Sequence, residues 1–213
     1  VLSIGINKDW RLIHEDNGAA MTARSLSHLR LGLKETRGHD VLFDPHTGKK
    51  AVYGHHPAGP ALLLAGAFWL TGSEQPWAAR LLSILFQLTS IGLLMWLLSY
   101  FVSYPFALLG GFLMATLPMG AFFGRMVNYE PLALTAALLQ ACCYVSFKIR
   151  GNAWAIVGLC LGCVLGALMD WAALFFSLGF FFAEAYLLLK EKGSFKLFAA
   201  FGLAGLGAFS LNV

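Results

Sequence analysis

The 213-residue chain has few charged residues and few cysteines, and each shortage excludes a class of protein. Charged side chains make up 12% of the residues, about half of the roughly 25% that soluble domains carry. The net charge of +4 is small and spread along the chain, so the sequence predicts no nucleic-acid-binding surface. All four cysteines lie inside apolar runs, a pattern that predicts no disulfide framework.

These cysteines are Cys142, Cys143, Cys160 and Cys163, and the last two form a C-x-x-C pair. No polar or cationic residue flanks the pair to lower a thiol pKa, as redox or metal-binding cysteines require. We therefore interpret all four as small hydrophobic packing residues.

Long apolar segments dominate the rest of the sequence. Hydrophobic residues make up 58% of the chain, and apolar runs of about 16 to 25 residues follow one another from Pro57 to the end. A helix needs about 20 apolar residues to cross a bilayer. The sequence thus predicts an all-α integral membrane protein, a polytopic helix bundle. The chain opens and closes on apolar residues, without a signal peptide, so we expect a fragment of a longer protein.

The predicted organisation has two parts. Residues 1–76 form an external first loop with an amphipathic helix over 19–33, turns over 38–54 and an interfacial helix over 58–72. Residues 77–213 form a transmembrane bundle. Its predicted spans cover about 77–102, 105–123, 130–148, 153–169, 171–189 and a truncated 195–213.

Length and charge together predict the orientation of this bundle. The 15-residue apolar run 58–72 reaches about 22 Å as a helix, which is short of a roughly 30 Å hydrocarbon core. If it does not cross, the turns 148–152 and 190–196 share one side, and their five basic residues against one acid make that side cytoplasmic. If it crosses, the long loop changes sides. We favour the non-crossing arrangement.

In that arrangement four acids lie at the outer membrane interface: Glu15, Asp16, Glu130 and Asp170. Acids at membrane depth are costly, on the order of 2.5–3.5 kcal/mol, and therefore suggest function. For Glu130, which opens a span, stabilisation by the helix dipole is the simpler interpretation when it is taken alone. Glu184 lies near the other end of a span, where we expect it to reach the interface or to pair with Lys190 or Lys192.

The adjacent pair His55-His56 precedes Pro57 at the start of the interfacial helix. Two histidines suit a metal site, but a tetrahedral site requires further ligands. They also suit a phosphate or substrate contact through N–H donors. A purely structural position at a proline-capped helix start is the third interpretation.

Four short stretches carry a resemblance to a known family. In chain order they are IHEDNGAAMTAR (13–24), YGHHPAGPALL (53–63), EQPWAARLLSILF (74–86) and FGRMVNYEPLAL (123–134). They resemble the GT-C glycosyltransferases of the family 39 type that use polyprenyl-phosphate sugars, which include protein O-mannosyltransferases and lipid A aminoarabinose transferases. The family has an early acidic pair, an aromatic-x-[HK]-P-P-L element, an acidic-x-x-Ala-Ala-Arg-Leu span start and an Arg-x4-acid element.

The sequence departs from the family pattern at three positions. Glu130 stands where the family usually has Asp, Ala58 replaces the second proline, and His56 replaces a frequent lysine. The alignment also leaves open which of Glu15 and Asp16 matches the family's leading acid.

The resemblance implies an inverting transfer of a sugar from a lipid phosphate to an acceptor hydroxyl. Asp16 or Glu15 would be the general base, Glu130 would orient the acceptor or a cationic side chain, and the leaving phosphate would meet the cationic or N–H groups of Arg125, His55 and His56. It implies no cofactor and no metal, although the histidine pair leaves a divalent ion open. The partners would be a lipid-linked sugar donor, the membrane, and an acceptor lipid, glycan or protein.

The resemblance also implies a location, the bacterial inner membrane with the active site on the outer face. Two other functions compete with the enzyme. A secondary transporter also carries acids in its spans, but near the bilayer midplane and often with inverted repeats. In a non-catalytic membrane subunit the polar loop would be an interaction surface.

Overall fold

The computed structural model describes Ser3 and residues 5–10, 15–44 and 46–210. Of the described residues, 73% are helical. In chain order the elements are α1 (Asp16–Leu31), α2 (Leu33–Thr36), β1 (Val41–Phe43), β2 (Lys50–Val52), α3 (Gly59–Thr71), α4 (Pro76–Leu98), α5 (Tyr104–Thr116), α6 (Pro118–Phe123), α7 (Glu130–Arg150), α8 (Trp154–Met169), α9 (Trp171–Leu189) and α10 (Phe195–Ser210).

Three of these helices, α4, α7 and α9, are long and apolar enough to cross a membrane. They contain 23, 21 and 19 residues, which corresponds to roughly 28–35 Å at the rise of an α-helix. The apolar helices α3, α5, α8 and α10 are shorter, with 13 to 16 residues each. The last three residues of the predicted span 195–213 lie outside the described residues.

The predicted span over 105–123 is wrong as a single helix, because the structure divides it into α5 and α6. Leu117 separates them with an extended backbone, φ −59° and ψ 140°. Pro118 follows, and a proline disfavours helical geometry in the residue before it while lacking the N–H that would continue the helix. The predicted span ran through this proline.

The chain folds into two compact units, and the first comprises Val1–Leu88 and Thr116–Leu132. Helix α1 buries residues spaced three and four apart, including Met21, Arg24 and His28, as one face of a helix does. This face packs along α3. The apolar core of the unit consists of Met21, Leu64, Phe68, Ala78, Ala79, Val127 and Tyr129.

A small antiparallel hairpin lies in the first unit where only turns were predicted. Val41 pairs with Val52, and Phe43 pairs with Lys50. The Asp44 carboxylate closes the turn by accepting the His46 N–H at 2.9 Å and the Thr47 hydroxyl at 2.6 Å. Such an aspartate turn competes well with helix, and it brings the two strands together.

The second unit comprises Thr89–Ala115 and Ala133–Val213. Its core joins α7, α8 and α10 through Cys143, Leu159, Cys163, Leu197 and Phe201. The four cysteines are free thiols.

Polar contacts also join the helices of the second unit. The buried Gln140 donates to the carbonyl of Gly162 at 3.0 Å and accepts from the Ser177 hydroxyl at 2.8 Å. Side-chain amides act in this way between apolar helices.

Glu184 is fully buried in this unit, and its predicted pairing with Lys190 or Lys192 is wrong. Its carboxylate lies 2.9 Å from the Lys148 ammonium. It also accepts from the Tyr144 hydroxyl at 2.6 Å and from the Ser194 N–H at 2.8 Å. The two other lysines follow the last turn of α9, whereas Glu184 faces α7, so Lys148 is the cation within reach.

Candidate functional site

The acidic pair lies at the start of α1. Glu15 is the N-cap residue and Asp16 the first residue of the helix. Carboxylates are stabilised there by the helix dipole. Glu15 makes no capping hydrogen bond, because its carboxylate turns toward another element. Asp16 is exposed to solvent.

Arg80 of α4 holds the Glu15 carboxylate. Its Nη2 lies 2.8 Å from Glu15 Oε1, and the arginine side chain is only 6% exposed. Its Nη1 donates to the carbonyl of Ile6 at 2.8 Å, to that of Gly5 at 3.3 Å and to that of Lys8. One guanidinium therefore fixes both the segment before α1 and the carboxylate at the helix start, a use for which its planar set of donors is suited.

Trp10 completes this arrangement. The Arg80 guanidinium carbon lies 4.6 Å from the centroid of the indole ring, in cation–π contact. The six-membered ring of the indole lies against Gly18 in the first turn of α1, where an added Cβ would come within 2.6 Å of it. The glycine thus allows the indole to pack directly on the helix that presents Asp16.

The histidine pair follows β2 and differs in burial. His55 is exposed and His56 is half-buried. The His56 ring stacks on the Tyr129 ring with centroids 4.1 Å apart and planes at 20°. The Tyr53 ring also lies nearly parallel to the His56 ring, with centroids 6.2 Å apart and planes at 14°. His56 therefore joins the loop before α3 to the segment before α7.

The Arg-x4-acid element surrounds the start of α7. Arg125 is half-buried in the turn after α6, and Glu130 is the exposed first residue of α7. Between them, Val127 and Tyr129 belong to the apolar core of the first unit. Burial raises the pKa of the Tyr129 hydroxyl well above its usual value, so this phenol stays neutral at physiological pH.

Asp170, the fourth predicted acid, belongs to the second unit. Its carboxylate caps α9 there by accepting the Trp171 N–H at 2.8 Å.

A buried charged cluster was not predicted as a site. Asp40 is 2% exposed, and its carboxylate oxygens each lie 3.7 Å from a cationic or titratable partner, Arg24 Nη1 and His28 Nε2. The second ring nitrogen of His28 lies 3.1 Å from the Thr36 hydroxyl. Arg24, His28 and Asp40 stand 4 to 16 positions apart in sequence, so only the tertiary fold, and no local spacing, reveals them as a group.

In the described part of the chain, no three His, Cys, Asp or Glu side chains are grouped as a metal site. Comparisons with protein-family models, with curated proteins and with solved structures found no match. The functional interpretation of the chain therefore depends on its own residues and on the contacts that they make.

Proposed function

We propose that this protein is a membrane glycosyltransferase that moves a sugar from a polyprenyl-phosphate donor to an acceptor hydroxyl. The reaction would take place at the outer face of a bacterial inner membrane. The acceptor would be a lipid, a glycan or a protein.

The proposal depends on contacts that join the four family-like stretches within the first unit, to which all but the last two of their residues belong. Glu15 of the first stretch pairs with Arg80 of the third. Arg24 of the first stretch lies over Tyr53 of the second, with its guanidinium carbon 4.2 Å from the ring centroid. His56 of the second stacks on Tyr129 of the fourth. Stretches that share one site in an enzyme are expected to make such contacts, although up to about 120 residues separate them in sequence.

The surface of α3 supports a position at the membrane interface. Its 13 residues correspond to about 20 Å, too short to cross a bilayer. It packs on α1 on one side, while Trp69 and Leu70 are 74% and 77% exposed. Exposed tryptophan and leucine suit the boundary between headgroups and acyl chains, which is where a lipid-linked sugar presents its anomeric carbon.

The contacts of Glu15 favour Asp16 as the general base. Because Arg80 holds the Glu15 carboxylate as an ion pair, taking up a proton there would break a partly buried charge-assisted hydrogen bond. Asp16 is exposed at the helix start. In the proposed step Asp16 takes the proton of the acceptor hydroxyl, and the acceptor oxygen bonds to the anomeric carbon with inversion. The bond to the phosphate oxygen breaks, and polyprenyl phosphate leaves.

Negative charge grows on the phosphate as it leaves, so fixed donors near it accelerate the reaction. We assign this role to Arg125, His55 and His56, whose side chains offer cationic or N–H groups. Glu130, the first residue of α7, would orient the acceptor or one of these cations.

The test is a transfer assay on membranes that contain the intact protein, supplied with radiolabelled polyprenyl-phosphate hexoses and pentoses. Asp16→Asn should lower the transfer rate about 10²–10⁴-fold, the usual contribution of general-base catalysis, while donor binding persists. Glu15→Gln should have a smaller effect. The matched control is Glu191→Gln, which removes an exposed acid from the second unit.

Full activity of the Asp16→Asn protein would reject Asp16 as the base, and a greater loss in Glu15→Gln would assign that role to Glu15. If the unmodified protein neither transfers nor binds any of the donors, the enzyme proposal fails. Movement of an unmodified sugar into vesicles in that case would identify a transporter.

A further inference from the structure

Asp40 belongs to no stretch that carries the proposed chemistry, yet it is the most deeply buried acid of the first unit, at 2% exposure. Neither of its carboxylate oxygens has a direct hydrogen-bond partner in the described part of the chain. Its charge is balanced instead by Arg24, 3.7 Å away, and His28 Nε2 lies at the same distance from its other oxygen. Removing one partner of such a buried pair leaves the other charge uncompensated.

Arg24, which Asp40 holds, contacts two aromatic rings. Its guanidinium carbon lies 4.2 Å from the centroid of Tyr53 and 6.0 Å from that of Tyr129. A planar guanidinium binds flat against such rings. Asp40 also fixes Tyr53 directly, because its carbonyl accepts the Tyr53 N–H at 2.8 Å. The carboxylate thus holds the cation, and the carbonyl of the same residue holds one of the rings.

His56 lies beside both of these tyrosines. Its ring is within 20° of parallel to both, at 4.1 Å from Tyr129 and 6.2 Å from Tyr53. The orientation of the imidazole, and therefore of its N–H donors, depends on where the two tyrosine rings stand. Those rings in turn depend on Arg24.

We propose that Asp40 is a positioning residue for the donor phosphate: through Arg24 and the two tyrosines it sets the place from which His56 contacts the polyprenyl phosphate. This inference rests on the proposed function, because it takes His56 as a phosphate contact. Loss of the Asp40 charge removes the ionic partner of Arg24, loosens the stack and weakens donor binding, while the general base remains in place.

A double-mutant cycle tests the connection, with the Kd for polyprenyl phosphate as the readout. Asp40→Asn should weaken binding about tenfold, the effect of one hydrogen bond to a charged group. In a His56→Ala background the same change should have no further effect, since Asp40 acts through His56. If Asp40 only supports the fold, the two losses add, and additivity overturns the proposal.

Chemical modification gives a second readout that does not depend on function. Diethylpyrocarbonate should modify His56 several-fold faster in Asp40→Asn than in the unmodified protein, measured by mass spectrometry against the exposed His46. Unchanged His56 reactivity would overturn the proposal. If polyprenyl phosphate does not bind at all, the proposed function fails, but this measurement still reports whether Asp40 positions His56.

A variant of Tyr129 guards against misfolding of Asp40→Asn. Tyr129→Leu removes the stacking surface and should reproduce both effects of Asp40→Asn; if it binds donor normally and leaves His56 unreactive, the proposal is overturned. Glu35→Gln, which breaks the exposed pair with Lys50, is the matched control and should change neither readout.

Discussion

Two arginines of the first unit, Arg24 and Arg80, are 4% and 5% exposed. Each is matched by a carboxylate, Asp40 for the first and Glu15 for the second. Burial of a guanidinium is tolerated only where an acid and further acceptors compensate its lost hydration. The pairs therefore mark the places where residues distant in sequence are held in fixed relation.

At Gly162 the close approach of α7 and α8 gives a prediction. An added Cβ would lie 2.8 Å from Gln140 Cγ and 3.3 Å from the Gln140 backbone nitrogen. Gly162→Val should lower the free energy of unfolding by about 1–3 kcal/mol, because overpacking forces the helices apart. Thermal unfolding in detergent measures this. Gly179→Val, where an added Cβ meets nothing within 4 Å, is the control, and equal losses in both variants would contradict the close contact.

The candidate site residues differ in whether the sequence alone could identify them. Glu15, Asp16 and the histidine pair could be selected as candidates because their neighbours in sequence form a recognisable pattern. Asp40 could not, because its significance arises from Arg24 and His28 on another element. The sequence also left open the choice between the two acids, and the contact of Glu15 with Arg80 supplies the argument for Asp16.

Among the elements, the hairpin of β1 and β2 should be sensitive to acid. The Thr47 hydroxyl and the His46 N–H lower the pKa of the Asp44 carboxyl, and Lys50 lowers that of Glu35, which links β2 to α2. A lowered pKa in the folded state contributes stability above the unfolded value, near 4, that is lost as the pH falls through the folded pKa.

Amide hydrogen exchange of residues 41–52, corrected for its intrinsic pH dependence, should therefore show the hairpin opening more readily below about pH 4. Asp44→Asn combined with Glu35→Gln should remove most of this dependence, since neither side chain titrates. A hairpin whose opening has the same pH dependence in both proteins would refute the role of these carboxylates.

Elements differed in how well their sequences predicted them. Helices α7 and α9 follow from long apolar runs without interruption, and both are present. The strands of the hairpin have three residues each, and β2 is exposed throughout. Such short strands carry no alternation of apolar and polar residues, so the sequence predicted only the turn between them.

For the whole molecule, the non-crossing arrangement of α3 predicts the side on which each loop lies. Cysteines introduced at Thr47 and at Ser73 should react with a membrane-impermeant maleimide from the same side of the membrane. A cysteine at Asn152, in the predicted cytoplasmic turn, should react only from the other side. The native cysteines within α7 and α8 are replaced by alanine beforehand. Labelling of positions 47 and 73 from opposite sides would show that α3 crosses.

The discontinuity of the first unit has a consequence for synthesis. Its second stretch, Thr116–Leu132, follows the first only after the rest of α4 and the whole of α5. Tyr129 is made 73 residues after His56, a delay of roughly 4–15 s at 5–20 residues per second. During that interval Met21 and Leu64 have no Val127 or Tyr129 to cover them. The apolar core of the first unit is therefore incomplete, and accessible to chaperones and proteases, until the start of α7 has been synthesised.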